Sequence, residues 1–316
     1  MTATTERIRP FTAQDYEAYV SMLNAAHPED PQTVEDVKLF DAGREPHETF
    51  ARFLLDRGGQ VVGSAVIGTP RYNPQPGASM LNLHLHPQAQ SAAGQLYDFA
   101  VREAQALGAR ILVAGAREDW WELPFLQARG FVELDRMWGS TLDVREFDPA
   151  PFAAFQLKSA QQGIQVRPLA ELPYQEEAFQ RRWYALIIEL LGDVPSASEF
   201  HPWPFETWQK RVAQSPKLVS EAYFMALDGE QLVGTSELFP SNRPGTLQTG
   251  LTGVRRAWRR KGIAQTLKLV AAEYARSQGF QFVRTSNHSV NRPMLSINEA
   301  MGFMKEPAWV NLERRL

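Results

Sequence analysis

The chain of 316 residues contains no cysteine. That excludes disulfides, thiolate metal sites and cysteine nucleophiles, and no metal is expected. No apolar run approaches the roughly 18 residues that a bilayer span needs, so no membrane partner is expected. The N-terminal stretch MTATTERIRPFTAQDY lacks the apolar core of a secretory signal, which makes a cytoplasmic location the expectation. Positive charge is not in excess: 33 Lys+Arg stand against 36 Asp+Glu, a net of −3. A nucleic-acid partner is therefore not expected from the chain as a whole. What is present is globular. Hydrophobic residues make up 44% and charged residues 22%, close to folded averages. The length suits two domains of about 150 residues each.

Net charge conceals an asymmetry. Residues 1–155 carry 13 Lys+Arg and 21 Asp+Glu, a net of −8, and residues 156–316 carry 20 and 15, a net of +5. The second half is the better host for an anionic ligand.

The chain also repeats itself. Arg9-Pro10 returns as Arg167-Pro168, an offset of 158. DRGGQVVGSAVI (56–67) returns as LDGEQLVGTSEL (227–238), with Gly63 matching Gly234 at an offset of 171. EAQALGARILV (103–113) returns as EYARSQGFQFV (273–283), and LQARGFVEL (126–134) as NEAMGFMKE (298–306). Four pairs in one order mean two copies of one domain. The expected division is 1–147, a linker helix at 148–163, and 164–316. Asp148 and Pro149 read as the helix start and Gly163 as its stop. Phe152, Phe155 and Leu157 suggest that this helix packs across both domains.

Each copy reads as a strand, an amphipathic helix, antiparallel strands about a glycine turn, a further strand, then helix, strand, helix and closing strands. The fold class is α/β, with a mixed sheet flanked by helices.

The segment LTGVRRAWRRKGIAQTLK (251–268) carries the chemistry. A strand ends at Val254, and a helix opens near Gly262 with apolar residues at Leu267, Val270, Ala271 and Tyr274. Unpaired N–H groups at a helix start favour anions. Arg255, Arg256, Arg259, Arg260 and Lys261 place five cations in seven positions. The pattern suits a pyrophosphate, although a solvated basic helix start reads the same way. It is neither a Walker A loop nor a GxGxxG fingerprint.

Arg259-Arg260-Lys261-Gly262-Ile263-Ala264 resembles the R/Q-x-x-G-x-G/A motif of the GNAT superfamily of acyl-CoA-dependent N-acetyltransferases. NRPMLSINEAMGF (291–303) resembles the same family. The likeness runs through the second half in order and more weakly through the first, as in a tandem GNAT fold with a splayed central sheet. The resemblance implies acetyl-CoA as co-substrate and a primary amine on a small molecule or peptide as acceptor. It implies that the backbone of Arg260, Lys261, Gly262, Ile263 and Ala264, with Arg259, holds the pyrophosphate. Thr252, Gly253 and Val254 would pair with the pantetheine arm as an added strand, and an amide near Val254 would polarise the thioester carbonyl. Asn291 would face that arm and Asn287 would assist, unless Asn287 is only a turn former.

Many family members carry a tyrosine acid where this chain has Asn298. An amide donates a hydrogen bond but is no acid at neutral pH. Either Asn298 orients the sulfur, or water protonates it. Glu237 is the first candidate base; the alternative is an outward-facing strand residue. His288, read as a loop residue, is the second. About 13 extra residues fall near 190–211 in the second copy. There His201, Trp203 and Phe205 are acceptor-site candidates, or members of a self-packed surface loop.

The first copy has lost the site. Pro87 to Gly108 is 21 residues where Arg256 to Gly279 is 23, and no Arg or Lys lies between Arg71 and Arg102. Leu126 stands at the Asn298 position. The expectation is an N-acetyltransferase working by direct attack in a ternary complex. A non-catalytic acyl-CoA sensor is the alternative.

Overall fold

The computed structural model describes residues 6–70, 75–195 and 202–316. The first half runs β1 (Glu6–Pro10), α1 (Tyr16–Ala26), α2 (Val34–Ala42), β2 (Phe50–Arg57), β3 (Gln60–Gly68), β4 (Ala78–Leu85), α3 (Ala93–Ala106), β5 (Ile111–Arg117), α4 (Glu122–Gln127) and β6 (Val132–Asp143). The second runs α5 (Ala150–Gln161), β7 (Ile164–Pro168), α6 (Glu177–Gly192), α7 (Phe205–Trp208), β8 (Tyr223–Asp228), β9 (Gln231–Pro240), β10 (Thr246–Val254), α8 (Ile263–Ser277), β11 (Phe282–His288), α9 (Arg292–Ala300), β12 (Met304–Lys305) and β13 (Trp309–Arg315). The repeat is thus a repeat of elements.

The chain divides into two compact units, but not at the expected boundaries of 1–147 and 164–316. One is 1–136 with 307–316, and the other is 137–306. In the first unit the sheet order is β1-β2-β3-β4-β5-β13. There the chain's last strand pairs antiparallel with β5, from Trp309↔Arg117 to Arg315↔Ile111. In the second unit the order is β11-β10-β9-β8-β7, and residues 137–143 of β6 pair antiparallel with β11. Each copy's closing strand therefore completes the other copy's sheet. Both strands show ordinary strand patterning, so the sequence alone does not tell which partner each takes.

Both sheets are covered on two faces by period-2 alternation. In the first unit Leu54 packs with Tyr19, Met22 and Val37 of α1 and α2, while its neighbour Leu55 packs with Leu96 and Ala100 of α3. In the second, Tyr223 and Met225 face α6, while Phe224 and Ala226 face α8. Trp183 on α6 is fully buried and donates Nε1–H to Tyr223 Oη at 3.0 Å. Trp183→Ala is expected to cost about 3–5 kcal/mol, read as a lowered midpoint of urea unfolding.

Helix α5 lies wholly within the second unit and packs on α8 and β7. It starts one residue later than Asp148-Pro149 suggested, and Asp148 Oδ1 accepts from Ala150 N–H at 3.0 Å. Phe152 is buried and Phe155 is half-buried, but Leu157 is exposed, contrary to expectation. The reason is helical phase: Phe152 and Phe155 share the α8-facing side, and Leu157 does not.

Candidate functional site

β10 and β11 pair in parallel only at Thr246–Gln248 with Phe282–Arg284. Beyond that they diverge, which leaves the second half of β10 with an open edge. Arg255 N–H bonds Val233 C=O at 2.8 Å, so Val254 and Gly234 form a non-hydrogen-bonded pair. The N–H and C=O of Val254 consequently point away from β9, into the gap. Thr252 alternates with it and does the same, while Gly253 turns toward β9. A Cβ at Gly253 would lie 3.1 Å from the Leu190 side chain of α6, so a larger residue here would press on that helix.

A bulge interrupts the other edge. Thr249 pairs with Leu238 and Thr252 with Ser236, so Gly250 and Leu251 oppose the single residue Glu237. The side chain replaces the lost ladder bond: Leu251 N–H donates to Glu237 Oε1 at 2.9 Å. Burial pushes the Glu237 carboxyl above its ordinary value, partly offset by that hydrogen bond. Glu237 stands directly across from Tyr223, whose hydroxyl is itself pushed well up by burial and by the Glu237 charge. Glu237 is thus half-buried and held at the bulge by its own side chain.

After β10 the backbone takes an uncommon course. Arg260 has φ 64° and Gly262 has φ 84°. The left-handed region costs a non-glycine residue of order 1 kcal/mol. Two such residues flanking Lys261 form the kind of backbone nest that gathers N–H groups around an anion. The loop's carbonyls are tied down from below. Ser159 of α5 reaches Lys261 C=O at 3.4 Å, and Thr266 N–H and Oγ1 both bond Gly262 C=O at 3.0 Å. Among the described residues, the N–H groups of 260–264 donate to no protein acceptor, and α8 has no side-chain cap.

The five cations of this loop are not equivalent. Asp193, at the end of α6, accepts from Arg256 Nε at 2.9 Å and also binds Arg259. These guanidiniums, Arg256 first, hold its carboxyl below the usual range. Arg255 pairs with Glu189 at 3.4 Å. Arg260 and Lys261 have no acidic partner among the described residues and flank the nest. Arg259 Nε also donates to Val254 C=O at 3.0 Å, which ties the loop to the open edge of β10. Sequence reasoning missed Asp193 and the α5 floor; only an acidic residue in the insertion hinted at the first.

On the β11 side Asn298 is buried and donates Nδ2–H to Asn287 Oδ1 at 2.6 Å, while its Oδ1 has no partner. Asn291 is the N-cap of α9 and accepts from Met294 N–H at 3.4 Å. Its pattern is explained by capping. His288 belongs to β11 and is buried, not in a loop as expected; its Nδ1 accepts from Val290 N–H at 3.2 Å. Of the acceptor candidates, Phe205 is a core residue packed edge-on against Tyr184 and stacked on Trp208. Trp203 is 48% exposed, and its carbonyl accepts from Tyr184 Oη at 2.6 Å. His201 lies outside the described residues.

The model of the Acetyltransferase (GNAT) family matches residues 183–303, which hold the bulge, the open edge and the nest. The tandem GNAT protein of the clavulanic acid biosynthesis pathway superposes with a TM-score of 0.74 at 17% identity, over 98% of each chain. The chain is a tandem of GNAT folds. A GCN5-related N-acetyltransferase from Sphaerobacter thermophilus gives 0.70 at 19% identity, over 98% of this chain and 95% of that one. A GNAT-family acetyltransferase from Colwellia psychrerythraea gives 0.63 at 12%, over 98% and 100%. At these identities the likeness is one of fold. No curated protein sequence matches the chain.

The two GNAT folds differ at the bulge and in the turn that leads into the following helix. In the first, β3 and β4 pair without interruption from Gly63↔Leu85 to Gly68↔Met80, so there is no bulge. Val66 takes the place of Glu237. The chain then winds continuously from a 3-10 turn, Pro87–Ala92, into α3. No described residue between Gly77 and Gly108 has positive φ, so no nest forms. Ser91→Asp, at an exposed position in this turn, is expected to leave acetyl-CoA affinity unchanged within twofold by calorimetry.

Proposed function

We propose that the second unit transfers an acetyl group from acetyl-CoA to a primary amine of a small molecule or peptide, by direct attack within a ternary complex. The observation that carries this reading is the course of β10. In nine residues it presents the bulge that holds Glu237 and the open edge at Thr252 and Val254, and it ends at the nest-bearing loop.

The residues divide the work by position. The N–H groups of 260–264, with the charges of Arg260 and Lys261, suit the two phosphates of the coenzyme. The open edge of Thr252 and Val254 suits the pantetheine amides, which pair as an additional strand would. Arg259 currently holds the Val254 carbonyl and yields it to that arm. When bound, the thioester supplies an acetyl carbon open to attack by an amine. Val254 N–H, aimed into the gap, stabilises charge on the carbonyl oxygen. Glu237 takes the proton that the ammonium must lose; its raised pKa brings it nearer the match with an amine that efficient proton transfer requires. Asn298, clamped to Asn287, orients the sulfur, and water protonates the thiolate, because an amide cannot.

Thiol release from acetyl-CoA across a panel of primary amines tests the reading. At least one amine should accelerate release well above hydrolysis, with a matching N-acetyl product by mass. Tight acetyl-CoA binding with no release for any amine would instead indicate the sensor.

A further inference from the structure

The first unit contains a buried cluster that acyl transfer does not use. His27 follows α1, His84 lies on the diverging half of β4, and Glu122 opens α4. Each offers one ligand-type atom, and these atoms all lie within 4.8 Å of one another. His27 is 5% and Glu122 4% exposed, unusual for a carboxylate with one imidazole partner.

We propose that His27, His84 and Glu122 form a three-residue binding site for a zinc-type divalent cation. Two histidines and a glutamate are a donor set suited to such a cation. His27 Nε2 and Glu122 Oε1 are already 2.9 Å apart. That hydrogen bond leaves two buried atoms unexplained: Glu122 Oε2 and His84 Nδ1 have no partner. A metal ion accounts for such unused lone pairs in one step. Tetrahedral zinc sets its ligand atoms about 3.3 Å apart. The longest edge of the cluster must therefore contract by at most about 1.5 Å, within reach of side-chain rotation.

The surroundings fit as well. The other ring nitrogen of His27, Nδ1, lies 4.0 Å from Glu29 Oε1, so a small side-chain shift would let that carboxylate orient the ring. Glu29 is itself held by Trp120 Nε1–H, and the Trp120 ring stacks on His27 at 3.6 Å. Arg52, whose charge reaches His84, is bound in two-pronged fashion by Asp41 at 2.9 and 3.0 Å. Beside His27 lies a cavity of about 480 Å³ that also touches Gln90, Arg117 and Asp119.

The test uses untagged full-length protein stripped with chelator and titrated with Co2+, then Zn2+. One equivalent of Co2+ per chain should give visible ligand-field bands, abolished by Zn2+, and Zn2+ should raise the melting temperature. Glu122→Gln keeps the hydrogen bond to His27 and should lose the bands, as should His84→Leu. Gly262→Asp, in the other unit, should retain them. Absence of bands in the wild type together with no Zn2+ retained on dialysis overturns the proposal. So does undiminished binding in Glu122→Gln, whether or not His84→Leu folds.

Discussion

Gly262→Asp is expected to abolish acetyl-CoA binding, with an affinity loss of at least about 100-fold. Three effects act together. The residue sits at φ 84°, where an L side chain is strained. Its Cβ would meet Phe155 Cδ1 and the Phe155 carbonyl at 3.3 Å, and the backbone oxygen cannot move aside without shifting α5. A carboxylate at 262, although directed to the α5 side, would also add negative charge next to the N–H groups proposed for the coenzyme phosphates, where like charge repels. Calorimetry reads the affinity, and a melting curve separates local loss from unfolding. Wild-type affinity in a folded variant contradicts the assignment of the loop.

Glu237→Gln should lower kcat by about 10²–10⁴ while leaving acetyl-CoA affinity nearly unchanged, the range general-base catalysis supplies. Glutamine Oε1 can still accept from Leu251 N–H, so the bulge should survive. The sign of the pH effect follows from the raised carboxyl. The base works only when ionised, so the rate should rise with pH through a value above the usual carboxylate range of about 4.3. That acid limb should vanish in the variant. Burial disfavours the charged form, so a raised native pKa costs stability once pH exceeds it. The variant lacks that charge and should melt no lower than the wild type at neutral pH. A full-rate variant with an unchanged pH profile would remove Glu237 from the chemistry.

Much of this was legible because local patterns repeat. Glycine turns, Arg-Pro strand starts and amphipathic helices recur at near-constant offset, and the elements follow them. The basic loop was legible as charge plus one glycine. Its left-handed Arg260 was not, since no residue type announces that conformation. Five cations in the sequence became two beside the nest, because Asp193 and Glu189 come from α6, more than sixty residues away in the chain. The bulge at Glu237 was equally silent: it depends on register between β9 and β10. Phe205 and Asn291 are site candidates from the sequence, and the structure shows the one packed in a core and the other capping α9. Aromatic and asparagine side chains serve both ends, and only three-dimensional neighbours discriminate. The exchange of β6 and β13 between units is the same problem at larger scale, for strand pattern specifies a strand and not its partner.

The two folds are alike in topology and unlike at the bulge, the nest and the charge. The most direct test is a calorimetric titration of the full chain with acetyl-CoA, read for stoichiometry. The account predicts one site per chain, retained in Ser91→Asp and lost in Gly262→Asp. Two sites per chain, or one site that survives Gly262→Asp, would contradict it.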